Sequence, residues 1–318
     1  MTNNRIYLFF GFGEGSEYVL HPLYQYMKDL NYNCIEIDMM KQQNAIDVIK
    51  PLRGKDIVFI TSAHLFMDKK NFSPYYQDDG IISALEVIEY LKPKKCIYYP
   101  HDLVTPVLPQ DSMWLSLFDV FLSPLPNLNH LKRYAEVVEV GWIKKQKNTP
   151  PSHYVAGEDL RVAFAMSSIG YYFKKGYDFT YEFWKPLFDK GIGIKLPFWP
   201  NVLEFESYLK KKGVNIFPSH TNILDLIHSN DIIITNSTTS VTIEAGLSGR
   251  MVLNVLDNVV PRQEQLSYSI GISSITSLPL EDCMKTIEQI KAGDMPVRNA
   301  PEFILPFNFE LATKILSV

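Results

Sequence analysis

A run of four hydroxyl side chains, Ser237, Thr238, Thr239 and Ser240, precedes the segment VTIEAGLSG, which predicts a short helix ending at Gly249. Hydroxyls and the exposed backbone N–H groups of a helix N-terminus together bind phosphate. A helix cap needs only one hydroxyl, so the other hydroxyls either bind a ligand or merely solvate the loop. The run therefore indicates a phosphate-binding turn, with a capped and solvated loop as the alternative.

Glu244 lies four residues after Ser240, whereas a capping-box glutamate lies three residues after the cap. Its carboxylate is therefore less engaged with the N–H groups of its own helix. From the first turn and a half of the helix it could reach a ribose diol while the hydroxyl turn holds a phosphate. This spacing predicts a nucleotide site.

Two further polar segments follow predicted strands. Ser167 and Ser168 come directly after the strand Arg161 to Ala165, in a turn that also carries lysines. Arg262 and Gln263 follow the strand that begins at Met251. Ligands of open α/β sheets bind at the carboxyl ends of strands, so Ser167 and Ser168 join the predicted nucleotide site.

Acid–base candidates come from the amino-terminal half. The strand Cys96 to Tyr99 leads into His101 and Asp102, and a histidine beside a carboxylate is a common general base. The alternative is a hydrogen-bonded structural histidine. Glu14 lies at the tip of the glycine-rich turn GFGEGS, where an exposed loop carboxylate is the alternative. That turn lacks the full dinucleotide fingerprint.

Strands and helices alternate along the chain and must position these groups. One series begins at Ile6 and a second restarts at Arg161, after the polar linker Lys144 to Asp159. The pattern predicts an α/β protein with two Rossmann-like domains facing a cleft. The predicted domains are residues 1–145 on the acceptor side and 158–300 on the nucleotide side, with a carboxyl-terminal helix, 301–318, near their junction.

Local patterns within this alternation predict a helix near Leu128 to Tyr134 and a strand from Val214 to Phe217. The segment LDNVVPRQEQLSYSIGIS, after the strand that ends near Val255, is predicted to be a loop.

Composition narrows the class of protein. The chain has 318 residues, which favours two domains, and its net charge of −4 argues against nucleic-acid partners. Three separated cysteines give neither a disulfide framework nor a zinc site, and no D-x-D triplet is present, so we expect no metal and no cofactor.

The apolar segment near the amino terminus is too short for a signal peptide, and no apolar run is long enough to cross a membrane. We expect a cytoplasmic protein. Peripheral association with the inner face of the membrane, and the oligomeric state, are left open.

The segment DIIITNSTTSVTIEAGLSGR, followed by MVLNV and PRQEQL, resembles the carboxyl-terminal half of GT-B glycosyltransferases. The nearest patterns are those of the peptidoglycan-lipid N-acetylglucosaminyltransferase and the capsule and teichoic-acid polymer transferases. The resemblance implies that Ser237 to Ser240 hold the donor phosphates, that Glu244 contacts the ribose, and that Arg262 and Gln263 approach the donor sugar. It covers about residues 214–265; the amino-terminal turn lacks the glycine–histidine pattern of that family.

This resemblance implies a metal-independent transferase that moves a sugar from a nucleotide-activated donor to a hydroxyl of a bacterial surface polysaccharide or glycolipid. The E-x7-E signature of retaining enzymes is missing, which favours inversion. The base for the acceptor would be His101, Asp102 or Glu14. The alternatives are a UDP-sugar 2-epimerase and a non-catalytic nucleotide- or glycan-binding protein.

Overall fold

The computed structural model describes residues 5–11, 16–37, 45–62, 84–103, 112–145, 154, 159–197, 202–218, 220–266 and 272–318. The chain separates into two compact units, residues 1–147 with 305–318 and residues 148–304. The domain bounds predicted from the sequence remain a prediction, because a domain is defined by independent folding, which the contacts within one chain do not test.

The first unit is built on a six-stranded sheet. Its strands are β1 (Ile6–Phe10), β2 (Cys34–Ile37), β3 (Ile57–Thr61), β4 (Lys95–Tyr98), β5 (Val120–Ser123) and β6 (Glu136–Glu139). Its first helices are α1 (Ser16–Asp29), α2 (Ala45–Ile49) and α3 (Ala84–Leu91), with 3₁₀ turns at Lys50–Leu52, Met113–Leu117 and Asn129–Arg133.

The second unit is built on a five-stranded sheet. Its strands are β7 (Val162–Ala165), β8 (Gly193–Lys195), β9 (Ile232–Thr235), β10 (Met251–Leu256) and β11 (Ile275–Pro279). Its helices are α4 (Ile169–Phe173), α5 (Tyr177–Phe188), α6 (Leu203–Lys211), α7 (Ile223–Ser229), α8 (Ser240–Leu247), α9 (Arg262–Leu266) and α10 (Leu280–Ala292).

Both sheets are parallel. The first has the order β2-β1-β3-β4-β5-β6 and the second β11-β10-β9-β7-β8. The order reverses between β1 and β3 in the first sheet and between β7 and β9 in the second. Two parallel sheets with helical crossovers confirm the predicted α/β class and the two Rossmann-like domains.

Each sheet has its own core. Along β1, Ile6, Leu8 and Phe10 point into one hydrophobic cluster, while Tyr7 and Phe9 alternate with them and are also buried. A strand that is apolar on both faces fits a parallel sheet covered by helices on two sides. Each fully buried Leu or Phe contributes about 1.5–3 kcal/mol, so these strands fix the positions of the loops at their ends.

The carboxyl-terminal helix α11 (Phe309–Ser317) belongs to the first unit. Arg5 donates a hydrogen bond to the carbonyl of Ser317 at 3.0 Å, and Lys95 donates to that of Ile315 at 2.7 Å. The rings of Tyr26 and Phe309 lie 5.0 Å apart. The helix is therefore held by α1, by β4 and by the residue that precedes β1.

Several predicted elements differ from the structure. Residues 129–133 form a 3₁₀ helix instead of an α-helix, and the predicted strand at 214–217 is reduced to one bridge between Ile194 and Ile216. The predicted loop after β10 contains α9 and leads into β11. The motif IGYYF after Ser168 is the short helix α4. These elements are short and half-buried, so contacts with the rest of the unit outweigh their weak local patterns.

Candidate functional site

The hydroxyl run lies at the reversal point of the second sheet. Strand β9 ends at Thr235, the chain turns through Asn236 to Thr239, and α8 begins at Ser240. The neighbouring strand β7 ends at Ala165 and is followed by Ser167 and Ser168. The sequence-predicted serines after β7 and the hydroxyls after β9 are thus brought to one edge, where open α/β sheets bind ligands.

Asn236 joins the two turns. Its Oδ1 accepts hydrogen bonds from the backbone N–H of Ser167 at 2.7 Å and from that residue's hydroxyl at 3.1 Å. Its Nδ2 donates to the carbonyl of Ser167 at 2.7 Å. The side chain is fully buried. Asn236 was not among the residues predicted for the site, although a polar residue directly after a buried strand is a usable signal.

The serine hydroxyls continue this junction. The hydroxyl of Ser237 lies 2.9 Å from that of Ser167 and 2.8 Å from that of Ser168. Ser168 has left-handed backbone angles, φ 49° and ψ 34°, which are uncommon outside glycine. Such backbone costs about 1–3 kcal/mol and persists where the surroundings hold it in place. The hydrogen bond to Ser237 is one part of that support.

The remaining three residues of the hydroxyl run differ in their hydrogen bonding. Thr238 donates from its backbone N–H and from its hydroxyl to the carbonyl of Glu264, at 3.2 and 2.8 Å. Thr239 is the N-cap residue of α8, but its side chain makes no capping hydrogen bond. The buried hydroxyl oxygens of Thr239 and Ser240 have no hydrogen-bond partner within the described ranges. Buried polar atoms without a partner are rare, and a bound ligand or water is a common reason for them.

Gln265 was noted in the sequence only as part of the loop after β10. It is completely buried on α9, and neither its amide nitrogen nor its amide oxygen has a hydrogen-bond partner in the part of the chain that the structure describes. Its backbone carbonyl accepts a 2.8 Å hydrogen bond from Asn254 of β10. Because the adjacent Glu264 carbonyl binds Thr238, Gln265 belongs to the same edge as the hydroxyl turn.

Two tyrosines of α4 connect this edge to the segment after β10. The hydroxyl of Tyr171 donates to Glu264, and that of Tyr172 donates to Asp257 and also contacts Asn236. Burial, followed by the bond to Asp257, raises the pKa of Tyr172 well above its usual value. The bond to Glu264 raises the pKa of Tyr171. Both phenols therefore remain protonated donors, and α4 is tied across the edge.

The other predicted donor-binding residues lie nearby in the sequence but differ in exposure. Glu244 is fully buried on α8, whereas Arg262 and Gln263 are exposed at the start of α9. Lys195, at the carboxyl end of β8, is a buried cation whose ammonium donates to the carbonyl of Leu196 at 3.0 Å. This lysine was not predicted as a site residue, because it falls inside an apolar segment.

The predicted acid–base residues belong to the first unit. His101 and Asp102 follow β4, and the imidazole Nε2 lies 3.3 Å from the Asp102 carboxylate. Both side chains are mostly buried. Glu14 lies outside the described residues. The catalytic role of all three remains a prediction.

Over the ranges that the structure describes, no group of three or more His, Cys, Asp and Glu side chains is arranged to hold a metal ion. Within the same ranges, no helix has the length and apolar character needed to cross a membrane.

No protein-family model matches the chain, and no curated protein matches it. It is similar to the solved structure of a UDP-GlcNAc 2-epimerase from Methanocaldococcus jannaschii, with 14% identity, a TM-score of 0.43 and coverage of 98% of this chain and 99% of that chain. It is similar to the wall teichoic acid polymerase TagF, with 12% identity, a TM-score of 0.49 and coverage of 99% and 88%. The glycosyltransferase SnogD from Streptomyces nogalater gives 14%, 0.44 and 98% of each chain. Likeness at this level does not assign an activity, because one fold hosts many functions.

Proposed function

We propose that the protein is a glycosyltransferase that moves a sugar from a nucleotide-activated donor to a hydroxyl of a bacterial surface polysaccharide or glycolipid. The observation that carries the proposal is a set of buried polar groups at the reversal point of the second sheet that have no hydrogen-bond partner among the described residues. These are the hydroxyls of Thr239 and Ser240 at the start of α8 and the amide of Gln265. A diphosphate linked to a sugar supplies partners for both kinds of group.

The donor phosphates would bind at the N-terminus of α8. Its free backbone N–H groups and partial positive charge favour an anion, and the hydroxyls of Thr239 and Ser240 would donate to phosphate oxygens. Lys195 would add a positive charge at the same edge. Charge that develops on the leaving diphosphate would then be stabilised by the protein, without a metal ion.

The sugar side of the donor would face α9. A glutamine amide both donates and accepts, so Gln265 suits a sugar hydroxyl better than a phosphate, which only accepts. Arg262 and Gln263 would approach the same group, and Glu244 would contact the ribose. His101, Asp102 and Glu14 are the candidates for the base that deprotonates the acceptor hydroxyl, and inversion is the favoured outcome.

Binding of UDP, CDP and GDP to Thr239→Val and Ser240→Ala, measured by calorimetry, tests the phosphate site. A hydrogen bond to a charged group contributes about 1.5–3 kcal/mol, so each variant should bind its nucleotide roughly 10- to 150-fold more weakly. Ser317→Ala, on α11 of the first unit, is the matched control and should bind as wild type. Equal affinities in all three variants would remove the basis of the proposal.

The ribose contact is tested by Glu244→Gln, which keeps the shape of the buried side chain. A loss of similar size in nucleotide affinity, with no change in the melting temperature of the free protein, is the expected result. A large drop in melting temperature with normal affinity would make Glu244 a structural residue.

The reaction itself is followed by NMR with UDP-, CDP- and GDP-linked sugars. Release of the nucleoside diphosphate that persists in EDTA supports a metal-independent transferase. Conversion of a UDP-sugar to its 2-epimer would instead support the epimerase alternative, and binding without turnover would support a non-catalytic protein.

A further inference from the structure

A cavity of about 610 Å³ lies in the first unit, between α3 and the 3₁₀ turn Lys50–Leu52. Sites for small molecules usually enclose about 300–1,000 Å³. The turn leads into β3 and α3 leads into β4, so the cavity lies toward the amino ends of these two strands. His101 and Asp102, predicted for catalysis, follow the carboxyl end of β4 and therefore lie at the opposite edge of the sheet.

The floor of the cavity is apolar, and the α3 wall is polar and aromatic. Ile49 and Val87 form the floor and belong to the buried cluster of the first sheet. Glu86, Glu89 and Tyr90 are three and four residues apart on α3, which places them on one face of that helix. The Tyr90 ring is 39% exposed, so it offers a flat apolar surface to a ligand.

Three cations, Lys50, Arg53 and Lys92, complete the lining. Lys50 and Arg53 are three residues apart across a 3₁₀ turn, so their side chains leave it in the same direction. The Arg53 guanidinium lies 5.1 Å from the centroid of the Tyr90 ring and bridges the two walls. All three cations are exposed, and none forms an ion pair with a carboxylate among the described residues. Their charge is therefore available to an anion.

Lys92 has a backbone conformation that favours glycine. It follows the last residue of α3 with φ 48°, in the left-handed region, and its N–H donates to the carbonyl of Ile88 at 2.9 Å. Glycine is the usual residue at such a helix end, because a Cβ is strained in this conformation. The lysine side chain lines the cavity, so contact with a ligand would account for a residue that the fold does not favour.

The lining indicates the class of ligand. Lys and Arg side chains bind phosphate groups. The carboxylate of Glu89 repels a bare anion or an anionic membrane surface, but it accepts hydrogen bonds from hydroxyl groups. A ligand that has a phosphate, several hydroxyls and an apolar ring face matches all of these groups. The phosphate ester of a sugar has all three.

We propose that this cavity binds the phosphate ester of a sugar, either a free sugar phosphate or a nucleotide. Lys50, Arg53 and Lys92 hold the phosphate. The sugar ring packs against Tyr90, and Glu89 accepts hydrogen bonds from the sugar hydroxyls. The site lies wholly within the first unit and does not depend on the function proposed above.

Calorimetry of the full chain with glucosyl phosphate, UMP and inorganic phosphate tests the site. Wild type should bind at least one of the two esters more tightly than inorganic phosphate, and the comparison of the esters distinguishes a sugar phosphate from a nucleotide. Lys50→Gln and Arg53→Gln should each weaken ester binding by at least about tenfold, because a hydrogen bond to a charged group is lost. Lys132→Gln, at an exposed lysine of the 3₁₀ turn before β6, is the control and should bind as wild type.

Lys92→Gly separates binding from folding. It should weaken ester binding by at least about tenfold, while the melting temperature stays equal to that of wild type or rises, since glycine is favoured at this φ. Asn31→Gly makes the same kind of backbone change after α1, where φ is 64°, and should leave binding unchanged. Glu89→Gln should weaken ester binding but strengthen the binding of inorganic phosphate, because it removes a repulsive charge.

Three results would overturn the site. The first is that wild type binds neither ester, or that Arg53→Gln and Lys92→Gly bind the ester as wild type does. The second is binding to vesicles of phosphatidylcholine and phosphatidylglycerol without binding of either ester, which would assign these cations to a membrane surface. The third is ester binding that is lost in Thr239→Val and kept in Arg53→Gln, which would place the ester in the second unit and leave the proposed function standing.

Discussion

Asn236 is the residue whose replacement most directly tests the junction between β7 and β9. Asn236→Ala removes hydrogen bonds of 2.7, 3.1 and 2.7 Å to Ser167. The backbone N–H and carbonyl of that buried residue then lose their hydrogen-bond partner. Each buried group without a partner lowers the free energy of unfolding by about 1–3 kcal/mol, so the two together lower it by about 2–6 kcal/mol. Asn236→Asp keeps the acceptor but puts an oxygen against the Ser167 carbonyl, so it should be destabilising as well.

Hydrogen–deuterium exchange is the suitable assay, because a chain with two units need not unfold in one step. Peptides covering β7 and β9 should exchange faster in Asn236→Ala, by about tenfold for each 1.4 kcal/mol lost, while peptides covering β1 and β3 serve as the internal control. Asn230→Ala is the matched variant, since that buried amide lies at the opposite edge of the sheet and donates to the carbonyl of Leu226 at 2.7 Å and to the hydroxyl of Ser229 at 3.3 Å. Unchanged exchange in β7 and β9, or an equal effect of the two variants, would refute the reasoning.

Two further changes test the second unit and the thiols. In Gly249→Ala the new Cβ would lie 2.1 Å from the Ala300 carbonyl oxygen at φ +77°, so the melting temperature should fall at least twice as far as in Gly293→Ala, where φ is +81° and no atom lies within 4 Å of the new Cβ. A similar fall in both would show that the segment around Ala300 moves away freely. Burial raises the pKa of the Cys96 and Cys283 thiols from 9.0 to about 12, so iodoacetamide at pH 8 should label them only after unfolding. The stability that these neutral thiols contribute is complete below pH 9 and is lost as the pH rises toward 12, which alkaline melting curves would reveal.

The strand, turn and helix around Ser237 could be predicted because each carries a local signal. Four β-formers before Asn236, hydroxyls at a helix start and a glycine at its end act over short distances in the chain. The reversal point of the sheet follows from the alternation of strands and helices, so the position of Ser167 near the hydroxyl turn could also be predicted. The local pattern could not predict which of the hydroxyls form hydrogen bonds with one another and which have no partner among the described residues.

The groups that the sequence analysis missed depend on contacts between distant residues. His21 and Glu36 form a hydrogen-bonded pair although they are 15 residues apart, one in the middle of a helix and the other in a strand. Gln265 and Tyr171 lie on helices that are too short to show a clear hydrophobic periodicity, so the directions of their side chains could not be predicted. In each case the tertiary fold, and not the local pattern, creates the arrangement.

For Glu244, the sequence spacing and the tertiary structure give different information. The spacing of Glu244 from the hydroxyl run does not fit a capping box. In the structure, the N-cap residue of α8 makes no side-chain capping hydrogen bond. The same spacing says nothing about burial, yet Glu244 is completely buried in α8, together with Thr242, Ile243, Ala245 and Gly246. A buried carboxylate is costly unless polar groups hold it, so a residue of this kind is kept either by the fold or by a ligand. The comparison of affinity and melting temperature in Glu244→Gln separates these two reasons, because only the ligand role leaves the free protein unchanged.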